Sequence, residues 1–271
     1  MVHPILFTIM ITLLAGFCSP AYSEEVAHWQ SPDYLLNSFV DIALNNEHSP
    51  QRSPVRKWIT RIDYFLVHRG GDEALHSHLI RTHFEQLSAI TGLTIRPAKS
   101  QKAANYLIVL SSEDQLKDDL LNFFGWRSIT QREKFFRESI CLGTFVSTEH
   151  SVINHAIVII PVDRAKALGR LEACVVEELT QVLGLPNDSI KVFPSVFNDL
   201  SSDVYLSGLD YLLLKMLYDP RVIAGMDENS LRPILKKIVD EFKRDNTLHS
   251  AEQTVKSSGL WRLSQSGTSA K

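Results

Sequence analysis

The chain has 271 residues, 44% of them hydrophobic and 22% charged, with a formal net charge of −3. That composition suits one globular domain with its own apolar core. The small net charge and the scattered Lys and Arg give no general reason to expect nucleic acid or an anionic membrane surface as partner.

Residues 5–17 form an uncharged apolar run, followed by Ala21-Tyr22-Ser23. The run is too short for a membrane span and right for the core of a signal peptide, with cleavage expected after Ser23. The segment before the run lacks Lys and Arg. A lipoprotein through Cys18 is the alternative, and the bulky Phe17 before it argues against that reading. Cleavage leaves no integral membrane segment and places residues 24–243 in one domain.

Pro32 to Asn45 has helical periodicity, with Ser31 as N-cap. Lys57 to Val67 alternates as a first strand. Gly70-Gly71-Asp72 makes a turn and cap, and a helix runs from there to Thr91, stopped by Gly92. His76, His78 and His83 lie in that helix. His76 and His78 are two apart and diverge, so all three read as solvated or half-buried histidines and not as metal ligands. Short strands are expected at 93–96 and 106–110, an interrupted helix over 113–137, and strands at 140–146 and 153–160. His155 falls in the last of these, where a strand histidine usually faces solvent.

Two cysteines remain after cleavage, Cys141 and Cys174. In an oxidising compartment they invite a disulfide; two buried free thiols are the other reading.

Leu171, Val175, Leu179 and Val182 recur at helical steps, and Cys174, Glu177 and Gln181 share another face. Gly184 reads as a left-handed stop, and Pro186 keeps the helix from resuming. A turn at 192–199, an apolar helix over 206–218 stopped by Asp219-Pro220, and an amphipathic helix over 231–242 starting near Ser230 follow. The Ser-, Thr- and Gln-rich residues 244–271 read as a disordered tail apart from Leu260-Trp261-Arg262-Leu263. These elements make an α+β fold: a mixed sheet with helices packed on it.

The segment Cys174-Val-Val-Glu-Glu-Leu-Thr-Gln-Val-Leu-Gly-Leu-Pro-Asn-Asp188 resembles the DUF2927 family, exported bacterial proteins of unknown function that read C-x-x-E-E-L-T-Q-x-L-G-L-x-N-D. Ser195-Val-Phe-Asn-Asp199 and Leu217-Tyr-Asp-Pro-Arg221 resemble its later motifs, and the likeness covers roughly residues 30–227. The same helix is similar in spacing to the HExxHxxGxxH of metzincin zinc proteases, with every histidine replaced. On that likeness Glu177, Gln181 and Asn187 stand at the ligand positions, Glu178 at the general base, and Val196 or Phe197 where a Met floor would be. The resemblance implies a metzincin-like core and a periplasmic location in a Gram-negative bacterium.

One carboxylate and two amides make a poor zinc site, so no zinc is expected; an oxygen set suits a hard divalent cation such as calcium or magnesium. Asp188, Asn198 or Asp199 would enlarge that set. A metal-free reading makes Glu178 a general acid or base of a peptidase-like hydrolase. Against both stands a domain that binds or scaffolds a protein, peptide or glycan partner, with Asn187 and Asp188 shaping a turn. No nucleophile elbow, phosphate loop or dinucleotide fingerprint is present.

Overall fold

β-Branched and aromatic residues alternating along short segments build a five-stranded sheet. The computed structural model describes residues 27–45, 51–125, 128 and 139–265. Its strands are β1 (Ile62–His68), β2 (Ile95–Pro97), β3 (Tyr106–Ser111), β4 (Leu142–Ser147) and β5 (Ile153–Pro161), in the order β2-β1-β3-β5-β4. All neighbours pair in parallel except β4, which runs antiparallel to β5 at one edge. The α+β reading with a mixed sheet holds.

Side-chain alternation gives each strand two faces. Ile62, Tyr64, Tyr106, Ile108, Leu110, Ala156, Val158 and Ile160 join the main core. Val109 and Ile159 point the other way and form a smaller cluster with Leu116 and Leu120 of helix α3 (Leu116–Phe124). The main face carries α1 (Pro32–Leu44), α2 (Glu73–Thr91) and the site helix α5 (Leu171–Gln181), which follows the short α4 (Val162–Ala167). Helices α6 (Gly208–Leu217), α7 (Glu228–Arg244), α8 (Thr247–Lys256) and α9 (Gly259–Gln265) complete the main layer.

Several sequence expectations change. The first strand begins at Ile62, not Lys57, whose backbone makes only an isolated bridge to Val152. Residues 57 and 58 are tied elsewhere. Lys57 Nζ donates to the carbonyls of Leu217 (2.6 Å) and Val222 (2.8 Å) at the end of α6, and Trp58 Nε1 donates to Val182 O (3.0 Å). Gly184 has φ +119 and does not cap in the left-handed helical region. The carbonyl of Arg56 passes so close that a Cβ would collide with it, so glycine admits the 56–58 segment. Helix α7 is capped by the Asp227 side chain, which accepts from Ser230 N, so Ser230 lies inside the helix. The interrupted helix is α3, closed by Gly125 in the left-handed region; most of 126–138, like the signal segment, lies outside the described residues.

The largest correction is the tail. Residues 247–265 form α8 and α9 instead of a disordered segment. Leu248, Ala251 and Val255 recur at helical steps and are buried, as is Leu260. Gln86 of α2 donates to Val255 O (3.3 Å) and Ser258 Oγ (3.2 Å), and Trp261 Nε1 donates to Leu206 O (2.9 Å). Polar composition concealed a narrow apolar stripe. Leu248→Ala is therefore expected to destabilise the protein by about 2–5 kcal/mol in chemical denaturation; a dangling tail would leave the midpoint unchanged.

Candidate functional site

Helix α5 is packed on several sides. Leu171, Val175, Val176 and Leu179 join the core, and Thr180 is fully buried. Thr180 Oγ1 lies 3.0 Å from His83 Nε2 of α2 and donates back to Val176 O (2.5 Å). Burial holds the His83 imidazole down at about 4, so it is neutral at pH 7. His83 and His76 are thus buried, contrary to the solvated or half-buried reading: α5 covers His83 through Thr180, and His76 lies against His68 and Gly71. His155 is exposed as expected, on β5 opposite Val146 of the edge strand β4.

Cys141 and Cys174 form a disulfide, with Cα atoms 5.9 Å apart, tying α5 to the residues before β4. A loop of this length contributes roughly 3–4 kcal/mol in the chain-entropy model. Gly143 continues the contact: a Cβ there would fall 2.8 Å from Glu178 Oε2 and 2.9 Å from Val182 Cγ1. Glu178 is thereby held between α5 and β4 at 8% exposure. Tyr106 is nearby, its phenol pushed up by burial and by the Glu178 charge.

Glu177, Asp188 and Asp199 bring one carboxylate oxygen each within 4.8 Å of one another. Glu177 and Asp188 are half-buried and Asp199 is exposed. Gln181 Nε2 donates to Asp188 Oδ1 (2.6 Å). Glu177, Gln181, Asp188 and Asp199 thus converge, while Glu178 lies apart from them against β4.

Asn187 and Asn198 are turned to the backbone. Asn187 Nδ2 donates to Asp41 O (3.1 Å) and Asp188 O (3.0 Å), and its own N–H to Ile42 O (3.2 Å), fastening the turn after α5 to α1. Ser189 Oγ adds a bond to the Asp41 carboxylate. Asn198 Nδ2 donates to Val192 O (2.9 Å) and its Oδ1 accepts from Leu200 N (3.0 Å), closing the 190–200 loop on itself.

Sequence reasoning passed over Asp210. Its carboxylate is fully buried and accepts from Ser195 Oγ (2.6 Å), Val196 N (3.2 Å), Ser207 N (2.8 Å) and Ser207 Oγ (2.9 Å). Ser207-x-x-Asp210 is a capping box, and that spacing is the signal that could have found it. Burial raises the Asp210 carboxyl to about 6 despite these donors.

Two outcomes follow. Denatured, unreduced mature protein should show no free thiol at Cys141 or Cys174; two reactive thiols would contradict the bond. The folded protein holds the Asp210 proton up to about pH 6, whereas the unfolded chain releases it near pH 4. The group therefore contributes most stability below pH 4, and that contribution falls as pH rises from 4 to 6, by an amount on the order of 2–3 kcal/mol. Asp210→Asn should flatten that slope in urea unfolding at pH 4 and pH 7; an unchanged slope assigns it to other groups.

No curated protein matches this chain. The model of the family described as "Protein of unknown function (DUF2927)" matches residues 32–237, and the chain belongs to that family.

Proposed function

We propose that this domain is exported to the periplasm of a Gram-negative bacterium and acts there by binding or scaffolding a protein, peptide or glycan partner, on a protease-like core without a zinc centre. The reading rests on one observation above others. Two of the three positions that would hold zinc carry amides engaged in internal hydrogen bonds, Gln181 to Asp188 and Asn187 to Asp41 O and Asp188 O. The order strand, helix, strands and then site helix supports the protease-like part. The disulfide suits an oxidising compartment, and among the described residues no helix is long and apolar enough to cross a membrane.

Zinc does not fit this donor set, since Glu177, Gln181 and Asn187 offer no imidazole or thiolate. The oxygens of Glu177, Asp188 and Asp199 suit calcium or magnesium better, and no step of the proposed role passes through an ion. Beside Asp199 the same loop exposes Ile190 (68%), Phe193 (60%) and Leu200 (78%), apolar surface that a partner would cover.

A second reading keeps Glu178 as the general base of a hydrolase, and its burial beside Tyr106 favours that reading. Glu178→Gln separates the two. Under the binding reading the variant loses about 1–3 kcal/mol in thermal unfolding, as a buried polar contact is altered, and neither protein turns over peptides or glycans. Unchanged stability with lost turnover would establish the hydrolase. Elemental analysis of the purified protein is expected to find far less than one zinc per chain; a full equivalent would overturn the zinc-free core.

A further inference from the structure

A second group of side chains lies where β1 passes into α2. β1 ends in His68, and α2 begins at Glu73 after the turn Gly70-Gly71-Asp72. His76, the fourth residue of α2, lies against His68. The two imidazoles are nearly parallel, with planes 11° apart and ring centres 6.3 Å apart. His76 is only 4% exposed. Gly71, at φ +79, passes over its ring so closely that a Cβ would fall 2.7 Å from Cε1 and 3.2 Å from Val162 of α4. Both Nδ1 atoms are buried, and neither has a hydrogen-bond partner among the described residues.

This arrangement tolerates neutral rings and opposes charged ones. Protonation of either imidazole places an N–H on a covered Nδ1 that has no acceptor, and a buried charge without a partner is far costlier than a buried neutral nitrogen. A cation in the first turn of α2 also meets the positive end of the helix dipole. Burial lowers the His76 pKa, and charges on His68 and on Lys166 of α4 add to the lowering. Asp72 and Glu73 oppose it. The Asp72 carboxylate is already engaged as the helix cap, accepting from Leu75 N (3.0 Å). On the β1 side, Arg69 is paired with Asp119 (3.4 Å).

We propose that His68 and His76 form an acid-sensitive latch. With both rings neutral, the latch holds the Gly70-Gly71-Asp72 turn and the first turn of α2 against the end of β1. When a ring takes up a proton, the turn lifts and water reaches both rings. The sign follows from proton linkage. In the opened turn His76 binds its proton near the ordinary histidine value of about 6.5, whereas the closed turn resists it. The latch therefore has its full stability above about pH 6.5 and loses it as pH falls below that value. For one histidine the opened population grows by up to about tenfold per pH unit over that range. Asp210 acts on global stability in the opposite sense, so the latch is read locally. His78 contacts Arg81 (3.3 Å) and takes no part.

The test is native-state hydrogen exchange of the mature protein at pH 7, 6 and 5, corrected for the intrinsic rate at each pH. The amides of Leu75 and residue 76, both bonded to Asp72, report the opening. Their opening should grow at least tenfold from pH 7 to pH 5, with no such growth in the amides of α6. His76→Phe keeps a ring that cannot take a proton and should make the opening independent of pH. His150→Gln, on the surface, should leave the response unchanged. Titration of the His76 ring by nuclear magnetic resonance gives a second reading. Its midpoint should lie below the ordinary histidine value and should rise in His68→Gln, which removes the neighbouring charge. Should His76→Phe fail to fold, that shift decides. Opening that stays the same between pH 7 and pH 5, a folded His76→Phe that keeps the full acid response, or a His76 midpoint unmoved in His68→Gln would overturn the latch.

Discussion

The contact on which the rest of the structure depends is the one between α5 and the edge strand β4, closed at Gly143. Only a residue without a side chain lets the strand lie against Glu178 and Val182. The Cys141–Cys174 disulfide fastens the same pair of elements one turn earlier. Once α5 is held there, its opposite face meets α2 through His83 and Thr180, and its end receives Trp58 at Val182. Gly184 then lets the 56–58 segment pass, and Lys57 carries the linkage to the end of α6, where its ammonium neutralises the carbonyl end of that helix. Burial holds the Lys57 pKa down at about 8, with the Asp219 charge opposing the shift.

This packing divides the polar residues of α5 by direction. Glu178 faces β4 and Tyr106 and is enclosed. Glu177 and Gln181 face the turn that follows, where Asp188 and Asp199 join them. A zinc hydrolase needs the base and the ligands to converge on one open position. Here the base-like carboxyl lies against β4 while the ligand-like group meets Asp188 and Asp199, an arrangement unlike that of a zinc hydrolase.

Much of the architecture was legible because it follows from periodicity. The Asp72 cap, α2 and its Gly92 stop, β3, β4, β5 and α5 all come from spacing and from glycine or proline punctuation. Of the roles open to Asn187 and Asp188, the hydrogen bonds show how they fasten the turn after α5 to α1 and to Gln181. What failed did so for tertiary reasons. Lys57 and Trp58 alternate like strand residues but take their partners from helix ends, which no local pattern reveals. Helices α8 and α9 have too few apolar residues to stand out, and are stable because α2 and α6 supply the surface they cover. His76 is buried against His68 at the end of β1 and Gly71 of the turn before α2, and not beside His78 of its own helix.

The central claim is that the amides at the ligand positions serve the fold. Asn187→Ala tests it most directly, because this side chain is 8% exposed and joins α1 to the turn after α5. Urea unfolding of the variant should show a loss of about 1–3 kcal/mol, the cost of leaving buried partners unsatisfied. Unchanged stability would contradict the account, and would leave Asn187 available for a ligand.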